Sequence, residues 1–490
     1  MSAPPHLCPD KSQAHNARLC STEARKFVLM AAILASAMGF IDGSVVSVAM
    51  PAIRADLDAS LTQVLWISNA YLLTLSALLL VGGALADRFG VSRVFTLSIA
   101  GFVITSIACS IAPTADSLIV ARALQGVTAA VMVPGSLAII AQAYPADARG
   151  RAIGTWAAAS ALTTAVGPVL GGALLDVAGA SAWRMIFALN LPLGAIAVWL
   201  LLTRTTPVGG ESSTRLDVPG AVLATLGLGL LAYGLSGAEH GSAIDRAMLV
   251  WSGAGLGVFA GFLLVEARSP HPMMPLRLFW SRAFSAANLI TFALYFALSA
   301  VLFYLPMTVI SGWGLSAFEA SLAFVPMTVF IAILSPLSGK WAEAHGAHKF
   351  IGTGAAIVAV AFAGLGLSAP SQAFWAATVP LCALMGFGLA LAVAPLSSVV
   401  MASVPEDATG AASGINNAVS RVAGLCAVAS MGTLAAATYA ACGGTASFGA
   451  AADGAHHLSA LNAGFTAVSL ASAVLAALAA AWAVFRLRTP

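Results

Sequence analysis

Three charged residues within long apolar runs are the positions at which this sequence could carry chemistry: Asp42, Arg122 and Arg421. A charged side chain inside a membrane costs about 2.5–3.5 kcal/mol on insertion scales and needs water, a partner or a proton. Asp42 is the one carboxylate deep inside an unambiguous run, so reversible binding of a proton is one interpretation of its position. The alternative is a static acid whose hydrogen bonds hold two helices together.

Asp42 and Arg122 lie at similar depth if both runs are helices. Counted from the predicted outer ends, Asp42 is about eight residues deep and Arg122 about six, and each helical residue adds 1.5 Å. The two side chains could therefore pair, and helix movement could then change how strongly the acid holds a proton. In the alternative, Arg122 and the nearby Gln125 only donate hydrogen bonds to backbone carbonyls.

Arg421 lies about a dozen residues into its run, near the middle of a membrane-spanning helix. A cation there is expensive unless it faces a cavity or a partner. It could contact an anionic or polar substrate together with Asn416 and Asn417, or it could form a hydrogen bond between helices. Phe292 and Tyr295 in another run would suit an apolar cavity, and packing against lipid or other helices is the alternative for these rings.

A short polar stretch between two apolar runs has a related copy in the second half of the chain. Glycine, a bulky apolar residue, an acid, glycine and a base follow in the same order in both copies, which are Gly83, Leu85, Asp87, Arg88, Gly90 and Arg93, and then Gly339, Trp341, Glu343, Gly346 and Lys349. The glycines permit tight turns, and the charges can pair in alternative ways. The pattern indicates two homologous halves, with each loop either a moving joint or a plain cytoplasmic connection.

Small residues and a proline cluster in the run 152–175, as Gly167, Pro168, Gly171 and Gly172. Small residues permit close helix contact, and proline removes a backbone donor and bends the helix. The segment could be a seal or a bending point, although ordinary helix packing explains the same composition.

The composition places all these residues in a membrane protein. Of 490 residues, 60% are hydrophobic and 8% are charged, compared with roughly 25% charged in an average soluble domain. The six cysteines are dispersed and six histidines, among them His456 and His457, fall in predicted loops. We therefore expect no disulfide framework and no metal site. The sequence has no phosphate-binding Gly-Lys-Ser loop and no feature that predicts binding to nucleic acid.

Windows of about 20 apolar residues, enough to cross a bilayer of roughly 30 Å, can be placed fourteen times. They are 27–50, 64–86, 94–112, 117–141, 152–175, 184–202, 217–236, 247–266, 284–310, 318–338, 350–368, 374–400, 408–436 and 461–485. The predicted layout is a tail (1–26), a six-helix bundle (27–203), an inserted two-helix hairpin (204–267), a cytosolic link (268–283) and a second six-helix bundle (284–490).

The basic residues predict the orientation. With the N-terminus inside, seventeen of the 22 Lys and Arg residues fall on the cytoplasmic side, whereas Arg54, Arg184 and Arg246 fall outside. Arg122 and Arg421 lie within spans. Because basic residues are enriched in cytoplasmic loops, this distribution favours an even number of spans and cytoplasmic termini.

Four motifs resemble those of the major facilitator superfamily, specifically its fourteen-span drug:proton antiporter branch of the multidrug efflux type. Residues 83–93 resemble the loop motif G-x-L-a-D-r-x-G-r-k, and residues 118–130 resemble the proton-linked motif l-x-x-x-R-x-x-Q-G-x-g-a-A. Residues 163–172 resemble the antiporter motif g-x-x-x-G-P-x-x-G-G, and residues 41–51 resemble l-D-x-T-v-v-n-v-A-L-P. The departures are Val91 and Ser92, Thr128, Thr163, and Ser44, Ser47 and Met50.

The resemblance implies an all-α major facilitator fold with pseudo-twofold halves and alternating access driven by the proton gradient, without a cofactor. It assigns proton coupling to Asp42, Arg122 and Gln125. It assigns the cytoplasmic gate to Gly83, Asp87, Arg88, Gly90, Arg93, Glu343 and Lys349, and the antiporter helix to Gly167, Pro168, Gly171 and Gly172.

The expected function is export of small amphipathic molecules, such as drugs or antibiotics, across a bacterial-type cytoplasmic membrane by a monomeric protein. Branch members that expel organic cations often carry further membrane acids in their second half, where this chain has only the peripheral Glu319. A neutral, amphipathic or anionic compound therefore fits Arg421 better. The alternatives are a dedicated exporter of one endogenous metabolite and, more remotely, a polytopic membrane enzyme or scaffold.

Overall fold

The computed structural model of the chain describes residues 19, 21–206, 217–236, 246–270, 272–405, 408–450 and 454–487. Within these ranges fourteen helices are long and apolar enough to cross a membrane. They are α1 (Arg25–Asp56), α2 (Leu61–Ala86), α3 (Val91–Ser110), α4 (Ala115–Ala143), α5 (Asp147–Ala178), α6 (Ala180–Arg204), α7 (Val218–Leu235), α8 (Arg246–Arg268), α9 (Arg282–Ser311), α10 (Ala317–His345), α11 (Ala347–Ser371), α12 (Phe374–Ala402), α13 (Thr409–Ala441) and α14 (Ala455–Arg486). The predicted all-α protein with fourteen spans is confirmed.

Capping side chains explain where several helices begin. Ser60 before α2 and Thr114 before α4 each accept a hydrogen bond from the backbone N–H three residues later, and the side chain at that later position accepts one in return. Such capping boxes satisfy donors that a helix start leaves unpaired. α10 begins in the same way, with Ser316 and Glu319 as partners. Glu319 is therefore a capping residue at a helix end, as its predicted peripheral position suggested.

The predicted boundaries of the last two spans are too narrow. α13 ends five residues later and α14 begins six residues earlier than an apolar window predicts. The prediction that His456 and His457 lie in loops is therefore wrong, since both lie on α14. His457 is buried, and its Nδ1 atom is 2.5 Å from the hydroxyl oxygen of Tyr439. A polar residue can be buried within a helix when its side chain has a hydrogen-bond partner. A boundary predicted from hydropathy alone excludes such a residue from the helix.

The helices pack as two groups with a hairpin between them. In the first six, α1 packs on α5 and α6, and α2 packs on α4; in the last six, α9 packs on α13 and α14, and α11 packs on α12 and α14. α7 and α8 pack mainly on each other, and α7 also contacts α2 and α13. The two groups meet mainly at α2 with α13, α5 with α10, and α1 with α9.

The repeated polar stretch forms the same turn in both halves. Gly90 joins α2 to α3 with φ 90° and ψ 125°, and Gly346 joins α10 to α11 with φ 95° and ψ 120°. A positive φ of this size favours glycine. The sequence repeat is therefore matched by a repeat in backbone geometry. We call the membrane side that carries these two turns the inner face, and the opposite side the outer face.

Candidate functional site

Asp42 and Arg122 form an ion pair in the interior of the first group of helices. Arg122 Nη1 lies 2.6 Å from Asp42 Oδ2. The Arg122 side chain is 2% exposed and the Asp42 side chain is 1% exposed. Gln125 completes a ring, because its Oε1 accepts from Arg122 Nη1 at 2.6 Å and its Nε2 donates to Asp42 Oδ1 at 3.2 Å. The three residues predicted for proton coupling are therefore in direct contact.

Neighbouring helices hold Arg122 from several sides. Its Nε donates to the carbonyl oxygen of Ile67 at 3.2 Å, and its guanidinium lies 4.2 Å from the ring centre of Tyr71 and 5.6 Å from that of Phe187. Gln125 in turn donates to the Ser106 hydroxyl at 2.9 Å. Side chains from α1, α2, α3, α4 and α6 thus meet at one buried polar cluster.

Close contact between α2 and α4 positions this cluster. A Cβ atom built on Gly126 would lie 2.4 Å from the carbonyl oxygen of Tyr71, and one built on Gly82 would lie 2.2 Å from that of Ala130. Only glycine permits such an approach to a backbone carbonyl. Because Gly126 is four residues after Arg122, the contact holds the arginine against the ring and carbonyl groups of α2.

A cavity of about 1380 Å³ lies between the two groups of helices, and both Asp42 and Arg122 line it. Its lining reaches the inner-face residues Gly83, Pro272 and Gly410. Toward the outer face it extends to residues within the helices, such as Ser47 and Leu302, and no described loop of that face lines it. The cavity is therefore open at the inner face.

The second group of helices supplies the opposite wall. Tyr295, Asn417 and Arg421 line the cavity, as predicted for substrate contacts. Phe292 and Asn416 do not lie on this wall. The Asn416 amide nitrogen donates to Thr291 at 2.9 Å and to Asn288 at 3.2 Å, and the Phe292 ring lies 6.0 Å from that of Phe296. Asn416 therefore bonds between helices and Phe292 packs beside the hydrophobic core, which was the alternative interpretation for these side chains.

The predicted antiporter helix, α5, closes the outer side of the cavity. Pro168 lines the cavity. A Cβ atom on Gly171 would lie 2.4 Å from Val45 on α1, and one on Gly167 would lie 2.9 Å from Ser44. A Cβ atom on Gly172 would lie 2.6 Å from the carbonyl oxygen of Ala317, on α10 of the other group. Small residues here therefore let α5 pack closely against side chains of α1 and against the backbone of α10.

Two polar contacts between the groups reinforce the outer closure. Asp176, one turn beyond Gly172, accepts hydrogen bonds from the backbone N–H groups of Ala317 at 3.1 Å and Phe318 at 3.3 Å. At the end of α1, Arg54 donates to the carbonyl oxygen of Phe448 at 2.6 Å and to the Ser447 hydroxyl. Asp176 was not predicted from the sequence, and Arg54 had no predicted role. The position of Asp176 one turn after the glycine motif is the only sequence signal that could have indicated it.

The described charged side chains of the predicted inner gate form no ion pair with one another. Arg88, Arg93, Glu343 and Lys349 are exposed, and among side chains that the structure describes none of them forms an ion pair. The side chain of Asp87 lies outside the described part of the chain. The gating role of these charges therefore stays a prediction.

Two bundles of membrane helices around a cavity open to one face define a transporter. The sequence profile described as "Major Facilitator Superfamily" matches residues 32–428. The chain is 31% identical to the tetracenomycin C resistance and export protein of Streptomyces glaucescens over 83% of this chain and 75% of that protein. It is 33% identical to a methylenomycin A resistance protein of Bacillus subtilis over 83% of this chain and 87% of that protein.

The fold is shared with a solved bacterial homologue of the human lysosomal transporter Spinster in an inward-facing, unoccupied conformation. The TM-score is 0.70 at 19% identity, over 96% of this chain and 98% of the other. The chain therefore belongs to the Major Facilitator Superfamily. It is a multi-pass membrane transporter of small molecules rather than an enzyme, and its relatives are antibiotic resistance and export proteins.

Proposed function

We propose that the protein is a proton-coupled antiporter that exports small amphipathic molecules by alternating access, with the proton gradient as its energy source and no cofactor. The observation that carries this proposal is the position of Asp42, paired with Arg122 and Gln125, in the wall of the inner-facing cavity. An acid in that wall can exchange a proton with the same space in which a substrate would bind.

The ion pair links proton binding to helix position. Protonation of Asp42 would remove the charge that neutralises the buried Arg122 guanidinium. Loss of one partner from a buried pair costs about 3–5 kcal/mol, because the remaining charge is left uncompensated. A movement of α1 relative to α4 that exposes Arg122 to water lowers this cost. Proton binding would thereby favour one arrangement of the helices over another.

Alternating access requires the outer contacts to open and the inner face to close. Opening the outer face would separate Gly172 from Ala317 and Arg54 from Phe448. Closing the inner face would bring together the turns that carry the predicted gate charges. The close, small-residue contacts of α5 suit a seal that opens as a unit, since two groups of helices move as rigid bodies in such transporters.

The distribution of the basic residues supports cytoplasmic termini, and the relatives from Streptomyces and Bacillus support a bacterial cytoplasmic membrane. On that orientation the inner face is cytoplasmic, so the cavity takes its substrate from the cytoplasm. We propose that the monomer is the functional unit, because the cavity and the ion pair are formed within one chain.

A dedicated exporter of one natural product is the second candidate. The two relatives described above are each named for a single compound, which favours this narrower role. Growth assays distinguish the two: a multidrug exporter protects cells against several unrelated toxins, whereas a dedicated exporter protects against one compound or lowers its accumulation.

Purified protein in liposomes tests the coupling. With an imposed pH gradient, the wild-type protein should move substrate against protons, and Asp42→Asn should abolish the dependence on the gradient. Asp116→Asn is the matched control, since Asp116 lies on α4 outside the cavity and accepts a hydrogen bond from Gln63. Concentrative, gradient-driven transport by Asp42→Asn would contradict the proposal.

A further inference from the structure

The charges that line the cavity do not balance at its deep end. The described charged residues of the lining are Asp42, Arg122, Asp217 and Arg421. Asp42 and Arg122 neutralise each other. Asp217 lies at the inner start of α7, where its Oδ1 accepts from the backbone N–H of Gly220 at 2.8 Å. Arg421 is therefore the cation of the deep wall that has no counterion there.

The surroundings of Arg421 leave its guanidinium free to bind a ligand. α13 begins at Thr409, so a rise of 1.5 Å per residue places Arg421 about 18 Å from the inner end of the helix. Of the side chains and carbonyl groups that the structure describes, none accepts a hydrogen bond from Arg421, and none forms an ion pair with it. An unpaired cation at this depth is expensive, so a partner supplied from the cavity would be strongly favoured.

Two phenol side chains line the same cavity as Arg421: Tyr71 on α2 and Tyr295 on α9. Their helices meet α13 close to Arg421, because a Cβ atom built on Gly424 would lie 3.1 Å from the Ser299 hydroxyl on α9 and 3.9 Å from Leu72 on α2. The cation and the two hydroxyl donors come from three different helices and from both groups. An oxyanion can accept two parallel hydrogen bonds from a guanidinium and further ones from hydroxyl groups, and such charge-assisted bonds are the strong ones.

We infer that Arg421, Tyr71 and Tyr295 form a site for the anionic group of the substrate, and that the preferred substrates are organic monoanions, carboxylates or sulfonates, attached to an apolar ring system. This inference rests on the proposed export function and names its substrate class. The apolar lining residues Leu298, Leu302, Phe303, Phe324, Met327 and Ile331 provide the surface for the ring system. Cationic compounds would meet Arg421 without a compensating acid.

The charge of the substrate determines how much charge crosses the membrane in each cycle. If one proton enters for each substrate that leaves, exchange moves two elementary charges for a monoanion, one for a neutral compound and none for a monocation. A membrane potential of 100 mV changes the limiting concentration ratio by roughly 50-fold for each charge moved. The substrate classes therefore differ in their response to the potential.

Three pyrene derivatives with the same ring system test this class: 1-pyrenesulfonate, the neutral 1-pyrenesulfonamide and the cationic 1-pyrenemethylamine. Proteoliposomes receive a lumen-positive potential from inward K⁺ diffusion with valinomycin, or an acidic lumen, and protein-free liposomes correct for leakage. Both orientations of the protein move the same charge, so a mixed population suffices. We expect the lumen-positive potential to drive the largest accumulation for the sulfonate, and we expect the sulfonate to bind at least tenfold more tightly than the amine.

Variants locate the binding site. Arg421→Gln should weaken sulfonate binding at least tenfold, Arg421→Lys should weaken it less, and Tyr295→Phe should weaken it severalfold. Arg486→Gln is the control, because Arg486 lies in the last turn of α14, outside the cavity, beside the Trp482 ring. Thermal unfolding of each variant shows whether it is folded. The potential measurement on the wild-type protein tests the inference even if Arg421→Gln does not fold.

The outcomes separate this inference from the proposed function. Equal or tighter binding of the amine or the amide, no binding of the sulfonate, or unchanged sulfonate binding in a folded Arg421→Gln variant would overturn the anion site. Proton exchange with the amine or the amide would at the same time leave the antiport function standing. If transport of every probe is insensitive to the pH gradient, the coupling itself is wrong.

Discussion

Asp176 of the first group of helices accepts hydrogen bonds from the backbone N–H of Ala317, the first residue of α10 in the second group. A carboxylate at a helix start satisfies unpaired donors and interacts favourably with the positive end of the helix dipole. The same helix end also receives Gly172, whose Cα lies against the Ala317 backbone. Both contacts must break when the outer face opens, so they stabilise the conformation that is open at the inner face.

Replacing Asp176 with alanine should therefore favour outer opening. Loss of a capping side chain costs about 0.5–2 kcal/mol, and the exposure of Asp176 places the effect at the lower end. We expect the ratio of inner-open to outer-open molecules to fall about two- to fivefold. Asp176→Asn, which retains one side-chain acceptor, should fall between alanine and the wild-type protein.

Labelling of an engineered cysteine measures this ratio. Ser47 lines the deep end of the cavity, so Ser47→Cys reports which face is open. The background should carry Cys442→Ser, because Cys442 is exposed at the outer end of α13. A membrane-impermeant maleimide applied from outside should label Asp176→Ala faster than the parent. Equal labelling rates would show that the Asp176 contact does not bias the conformation.

Gly172→Val should have a larger effect in the same direction. The added Cβ would lie 2.6 Å from the Ala317 carbonyl oxygen and 2.8 Å from the Phe318 Cα atom, and backbone atoms cannot move aside as a flexible side chain can. We expect α5 and α10 to separate, outside labelling of Ser47→Cys to rise further than in Asp176→Ala, and transport to fall.

Gly253→Val is the matched control for Gly172→Val, since nothing lies within 4 Å of a Cβ atom on Gly253 in α8. It adds the same volume to a membrane helix without touching either group. Slow labelling of Gly172→Val, at the rate of the Gly253→Val control, would mean that the glycine contact is not the outer seal.

Sequence patterns predicted the features that repeat or that depend on depth. The helix count follows from hydropathy, and the Gly90 and Gly346 turns follow from a repeated motif. The approach of Asp42 and Arg122 follows from equal depth on two helices. The structure was needed for contacts between distant parts of the chain, because an exposed acid such as Asp176 has no local signature of its partner in the other group.

The sequence also could not predict which side of a helix each side chain faces. Asn416 and Asn417 are adjacent, yet Asn417 lines the cavity while Asn416 bonds to two residues of α9. Without the helix phase fixed by neighbours, both asparagines were assigned to the cavity. For the same reason, the apolar window that included Glu266 did not reveal that this acid is buried.

Glu266, at the inner end of α8, is 2% exposed and provides the last prediction. Its Oε2 accepts from the backbone N–H of Met274 at 3.0 Å, which ties the link before α9 to the hairpin. A Cβ atom built on Gly220 would lie 2.9 Å from Glu266 Oε1, 2.9 Å from Asp217 Cγ and 3.0 Å from Asp217 Oδ1. Two carboxylates are therefore close together, and neither Glu266 Oε1 nor Asp217 Oδ2 has a hydrogen-bond partner among the described residues.

Glu266→Gln and Glu266→Leu should change stability in opposite directions. Glutamine keeps an acceptor for the Met274 N–H and removes the negative charge beside Asp217. Its amide N–H can also donate a hydrogen bond to the Asp217 carboxylate. The thermal unfolding temperature should therefore equal or exceed that of the wild-type protein. Leucine leaves the Met274 N–H without its acceptor, which costs about 1–3 kcal/mol, and should lower that temperature. Thermal unfolding in detergent, monitored by intrinsic fluorescence, measures both variants. A lower unfolding temperature for Glu266→Gln than for the wild-type protein would show that the negative charge itself stabilises the link.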